Sequence, residues 1–294
     1  MSVIRLAALL IVPLMALASH VPANAATTDR ISVTNTGNGP DVVLIPGLAS
    51  SAHVWDATVD HLQQHYRIHV VQVSGFAGTP AGVNATGPVL VPVVKAIHDY
   101  IAANHLEGAA VIGHSVGGLI AMKLAIDHPT DAGRIMIVDS LPFIGMMFGP
   151  QATAEGAKQF ARPMRDKILA GTQEAYAAGE PGQMARLVKS HNAEADAAVA
   201  AASASDYRVV AEVFYEDSIT DLRPGLPSIK VPVTMLYPWD AATGVPQAKF
   251  DALYTSAFAP LPQAKVKRID GSFHFIMIDQ PALFLSEVDA FLAG

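Results

Sequence analysis

The sequence predicts an α/β fold: a mostly parallel central sheet, helices on both of its faces, and a helical cap inserted late in the sheet. Three observations predict it. Short β-branched runs alternate with helical patterns, as in a parallel α/β sheet. Most of those runs are apolar throughout, which suits strands covered on both faces. The alternation then fails over about residues 142–226, a long stretch with no clear strand.

In chain order, Ile31–Thr34 can add an antiparallel edge strand. The strands expected in the main sheet are Asp41–Ile45, His69–Val73, Ala109–Ile112, Arg134–Val138, Val233–Tyr237 and Val266–Ile269. Helices fill the gaps at Val89–Asn104 and at Gly117–Asp127, the latter stopped ahead of Pro129. Pro246–Phe258 and Pro281–Leu292 each begin at a proline, whose missing N–H costs nothing in a first turn. The interruption, rich in Ala, Met and Glu, reads as the helices Thr153–Leu169, Thr172–Ser190 and Asp206–Asp217. The run Ala197–Ala202 fits either another helix or a low-complexity linker, although Ala is the best helix former.

The first residues form a separate unit. Arg5 supplies a positive start, Leu6 to Ala18 is apolar, and Ala23-Asn24-Ala25 is a small-x-small cleavage pattern. A signal peptide of residues 1–25 is therefore expected, followed by one domain of residues 26–294. The apolar run, broken by Pro13, is too short for a convincing membrane span. Export to the periplasm or the medium follows as an expectation.

Composition narrows the function. With no cysteine there are no disulfides, no thiolate nucleophile and no Cys-bound zinc. The formal net charge of −7 becomes −8 once residues 1–25 and Arg5 with them are removed. An acidic chain without a basic cluster argues against nucleic acid and anionic membrane as partners, leaving a small-molecule substrate. No cofactor motif and no paired-His metal spacing stands out, and the oligomeric state is left open.

The sharpest signal is Ala109-Ala110-Val111-Ile112-Gly113-His114-Ser115-Val116-Gly117-Gly118-Leu119. It reads as a strand, then Gly-x-Ser-x-Gly, then a helix. So tight a turn pushes a serine hydroxyl out at the strand's C-terminal end and needs small residues at Gly113 and Gly117. The helix then aims its first N–H groups below Ser115, where they can stabilise developing negative charge. The absence of Gly-Lys-Ser/Thr argues against a phosphate-binding loop.

On these residues the sequence resembles the α/β-hydrolase fold family, from about Asp41 to Phe291. Val43-Leu44-Ile45-Pro46-Gly47-Leu48 is similar to the family's oxyanion strand and loop, with Pro46 where many members have His. Gly75-Phe76-Ala77-Gly78 is similar to the loop after the next strand. The resemblance implies a two-donor oxyanion hole from the backbone N–H groups of Leu48 and Val116. Both are main-chain groups, so Pro46 does not remove them.

Near the C-terminus, Val266–Ile269 is followed by Asp270-Gly271-Ser272-Phe273-His274 and then a proline-started helix. A histidine on such a loop can reach Ser115, and imidazole can both take and return a proton. His274 is the expected base. Other histidines, among them His53, His61, His65, His69, His98, His105, His128 and His191, lack that loop context, and the side chain of His114 is expected to point away from the site. The acid is expected between serine and histidine in chain order. Asp240, just after Val233–Tyr237, is the preferred residue, and Asp139, just after Arg134–Val138, is its rival. Asp270 and Asp279 flank His274 too closely and read as structural or solvated.

The cap carries Phe143, Ile144, Met146, Met147, Phe148 and Met164, which fit either an apolar acyl pocket or plain packing. The expected activity is hydrolysis of a carboxylic ester or lactone of a small to medium apolar substrate through Ser115, His274 and Asp240. Amide or C–C hydrolysis and haloperoxidase-like chemistry are the alternatives on the same residues. A non-catalytic binding protein is a third, disfavoured because no member of the triad is missing.

Overall fold

The computed structural model of the protein describes residues 24–294. Most of the expected leader therefore lies outside the described residues. Eight strands form one sheet: β1 (Asn24–Thr27), β2 (Ile31–Thr36), β3 (Asp41–Ile45), β4 (Arg67–Val73), β5 (Ala109–His114), β6 (Ala132–Val138), β7 (Val233–Trp239) and β8 (Ala264–Asp270). Their spatial order is β1-β2-β4-β3-β5-β6-β7-β8. The pairs β1-β2 and β2-β4 are antiparallel, and every later pair in that order, from β4-β3 to β7-β8, is parallel. The expected edge strand at Ile31 exists but is not the edge, because β1 pairs outside it. The cleavage point expected after Ala25 falls inside β1.

Burial explains the sequence pattern. Every residue of β5 is buried, as are Val42–Ile45 of β3 and Val233–Pro238 of β7, so these strands had to be apolar on both faces. Strand β8, at the edge, is mostly half-exposed and carries Lys265, Lys267 and Arg268, charges that blunt an open edge.

Ten α-helices accompany the sheet among the described residues. Helices α1 (Asp56–Leu62), α2 (Leu90–Ala103) and α3 (Val116–Asp127) lie between the early strands, and α8 (Gln247–Phe258), α9 (Ile276–Asp279) and α10 (Pro281–Ala293) lie late in the chain. Between β6 and β7 the cap contributes α4 (Ala154–Leu169), α5 (Gln173–Met184), α6 (Ala193–Ala204) and α7 (Tyr207–Ile219). The Ala-rich run is thus helical and not a linker. Side chains of Thr153, Thr172, Asn192 and Asp206 cap these four helices by accepting from N–H groups of their first turns. Helix α5 stops six residues short of the expected Ser190. No described helix is long and apolar enough to cross a membrane.

The cap is tied to the sheet at several points. Ser205 Oγ donates to Ala49 O and accepts from Ala77 N, while Asp206 N donates to Gly75 O at 2.7 Å. Glu216 on α7 accepts from the N–H groups of Val89 and Leu90 and so caps α2. Gly75 takes φ +95°, and a Cβ there would meet Val209 of α7 at 2.6 Å. Glycine is needed at that turn for conformation and for space.

Candidate active site

Ser115 sits between β5 and α3 with φ 55° and ψ −125°, a strained conformation for any residue with a side chain. The surrounding glycines permit it. A Cβ on Gly113 would come within 2.1 Å of Gly117 O, and one on Gly117 within 2.3 Å of Ile45 O. The turn is as tight as the sequence motif requires. The N–H groups of Gly118 and Leu119 close onto Ser115 O, which starts the helix at the serine. The N–H groups of Leu48 and Val116 donate to no backbone acceptor outside the helices and strands among the described residues.

His274 lies on the loop after β8. Gly271 N donates to Trp239 O, and Phe273 N donates to Asp279 Oδ2 at 2.8 Å. Asp279 also accepts from the N–H groups of Lys189 and Ser190, joining this loop to the cap. The histidine and Ser115 line the same cavity, although no hydrogen bond joins their side chains. Such bonds commonly tighten only when substrate is bound.

The acid is where the sequence preference and the geometry part. His274 Nδ1 donates to Asp139 Oδ2 at 2.5 Å, with Asp139 only 9% exposed. Asp240 instead binds Lys189 Nζ at 2.6 Å and caps a short 3-10 turn through Ala242 N. The Lys189 ammonium holds the Asp240 carboxyl below its usual range. Asp240 is thereby corrected to Asp139 as the partner of His274. Strand order gives the reason: β6 is the direct neighbour of β5, so the residue after β6 lies one strand from Ser115, whereas Asp240 lies two strands away.

Two further residues escaped sequence reasoning. Tyr254 of α8 donates its hydroxyl to Asp139 Oδ1, so both carboxylate oxygens are engaged. Burial pushes the Tyr254 hydroxyl far up, and it remains a donor across ordinary pH. His114, expected to point away, is fully buried beneath the site and donates from Nε2 to the His274 carbonyl at 3.0 Å. Burial lowers its pKa well below the usual value, which keeps that ring neutral. With the Asp139 bond holding the proton on His274 Nδ1, Nε2 is left as the basic nitrogen.

The cavity over these groups measures about 950 Å³. Its floor includes Leu48, Ser115, His274 and Phe275, and its cap side includes Met164 of α4 and Phe214 of α7. Of the apolar cap residues named from sequence, Met164 lines it, whereas Phe143 is fully buried packing and Phe148 is 73% exposed. Elsewhere, His98, His128 and Asp131 cluster near the far end of α3. The two rings stack 3.7 Å apart and nearly parallel, so their in-plane lone pairs do not converge on one ion.

A family model described as the alpha/beta hydrolase family matches residues 42–287. The chain belongs to this family. Among curated relatives, a pimeloyl-[acyl-carrier protein] methyl ester esterase of Aeromonas hydrophila is 37% identical over 114 residues, 38% of this chain and 42% of that protein. One of Nitrosomonas europaea is 32% identical over 112 residues, 38% of this chain and 42% of that one. The chain thus matches about two fifths of the length of these curated relatives. Solved α/β hydrolases align over nearly the whole chain. An esterase from Exiguobacterium antarcticum superposes with TM-score 0.73 at 17% identity, covering 90% of this chain and 96% of that one. The enol-lactonase from Burkholderia xenovorans gives 0.72 at 20% identity, covering 92% and 100%. At these identities the likeness is one of fold.

Proposed function

We propose that this α/β hydrolase cleaves carboxylic esters, lactones included, through an acyl-enzyme formed on Ser115. One observation carries the reading. A serine held in a strained strand-to-helix turn shares a cavity with a histidine whose far nitrogen is bonded to a buried aspartate.

In the proposed reaction His274 Nε2 takes the Ser115 hydroxyl proton as Oγ attacks the ester carbonyl. The tetrahedral oxyanion rests on the N–H groups of Leu48 and Val116. Asp139 holds the imidazole tautomer and balances the imidazolium charge. Collapse expels the alcohol with the proton returned by His274, and water repeats the sequence on the acyl-enzyme. The mostly apolar cavity favours an acyl or alkyl chain, and the curated esterase relatives support the same bond type.

Labelling with a fluorophosphonate and turnover of an ester and lactone panel test the proposal. Wild type is expected to label at Ser115 and to hydrolyse esters, whereas Ser115→Ala should fold, lose labelling and lose turnover by several orders of magnitude. Near-normal esterase activity in Ser115→Ala would end the reading. Export is proposed from the leader pattern: N-terminal sequencing of the natural product should find a start at or near Ala26. An intact Met1 or Ser2 on a cytoplasmic species would refute it.

A further inference from the structure

The cap side of the cavity is unlike its floor. Lys167 stands on α4 between Met164 and Ile168 in the lining, and Arg186 follows α5 beside the lining residue Leu187. Both side chains are exposed, and neither has a carboxylate or carbonyl partner among the described residues. In this acidic chain most described cations are engaged, as Arg67 is with Asp41, Arg223 with Asp221, and Arg268 with Asp251 and Asp270. Lys189, close in sequence to Arg186, is itself taken by Asp240.

Glu180 is the one carboxylate among the lining residues, and burial raises its pKa beside Tyr176. It forms no ion pair with Lys167 or Arg186. The lining therefore holds two free cations and one carboxylate, while its walls are mostly apolar. An apolar channel with cations on its cap side and a nucleophile on its floor suits a substrate with an ester at one end and negative charge at the other. Arg and Lys both bind carboxylate, the former through a planar fork.

We infer that the substrate ester carries a remote anionic group, of carboxylate type, received by Lys167 and Arg186. This rests on the ester-hydrolase reading of Ser115. A charge distant from the reacting carbonyl binds ground state and transition state alike, so its effect belongs in KM rather than kcat.

Monomethyl adipate and methyl hexanoate, matched in acyl carbon number, separate the possibilities. The wild type is expected to prefer the anionic ester by about tenfold in kcat/KM, through KM, a scale set by two partly exposed ion pairs. The preference should shrink in high salt. In the K167M/R186M variant the ratio between the two esters should fall to near one. Turnover of both esters at a ratio the variant does not change overturns the inference. Calorimetric binding of adipate, which needs no turnover, is the second readout. Adipate should bind wild type about fivefold or more tighter than K167M/R186M, and equal affinity or no binding overturns the proposed anion site. Adipate discrimination with no hydrolysis of any ester would sink the ester-hydrolase reading while leaving the anion site standing.

Discussion

Replacing Asp139 by Asn should cripple the enzyme, whereas replacing Asp240 by Asn should leave it nearly intact. Asp139 is 9% exposed and accepts from both His274 Nδ1 and Tyr254 Oη. An amide can still accept one of these bonds, but its NH2 group would face a donor on the other side and favour the wrong histidine tautomer. It also cannot balance the imidazolium. In serine hydrolases this change costs on the order of 10⁴ in kcat, equivalent to about 5.5 kcal/mol of transition-state stabilisation. Asp240→Asn loses one ion pair with a half-exposed lysine, worth about 0–1 kcal/mol of stability, and Asn can still cap the short turn. Its kcat/KM should stay within about threefold of wild type. The assay is kcat/KM on an activated ester for both variants, with thermal melts showing each to be folded and fluorophosphonate labelling rates measured alongside. A healthy Asp139→Asn beside a crippled Asp240→Asn would refute the reasoning from strand order and return the acid to β7.

Two stability predictions accompany it. Gly117→Ala would place a Cβ 2.3 Å from Ile45 O in a turn with no room to shift, so its Tm should fall by at least about 5 °C, while Gly179→Ala, facing open space within α5, should hold or slightly raise it; equal melts for the two would remove the steric account of the elbow. Asp217 is the other case, its carboxyl pushed up to about 7 by burial. The folded state then keeps a proton that the unfolded chain releases near pH 4, so stability is whole below that pH and is eroded as pH rises toward 7, by at most about 4 kcal/mol. Asp217→Asn removes the titration and should become progressively more stable than wild type between pH 4 and 8; a difference that stays flat over that range in denaturant titrations contradicts it.

Much of the fold could be read from residue patterns because those patterns answer to local physics. Strands β3 and β5–β7 are buried on both faces and had to be apolar throughout, so their positions emerged within a few residues. The short helix α1 and the outermost strand β1 carry no such pattern and went unread. The cap was legible as helical, yet the purpose of its side chains was not: Phe143 looks no different in sequence from Met164, and only packing makes one core and the other cavity wall.

The sequence by itself determined the elbow. Gly113, Ser115 and Gly117 act on one another through a few covalent bonds, and the steric demand of the turn is written in their spacing. It also determined that a loop histidine follows the last strand. Tertiary structure alone decided which aspartate serves it. Asp139 and Asp240 each follow an apolar strand and are indistinguishable to any local reading. Their difference lies in the β5-β6-β7 order, in Lys189 arriving from the cap to occupy Asp240, and in Tyr254 arriving from α8 to engage Asp139. Each of those contacts joins residues more than fifty positions apart, and pairing at that range is set by packing of the whole chain, which no short window of sequence records.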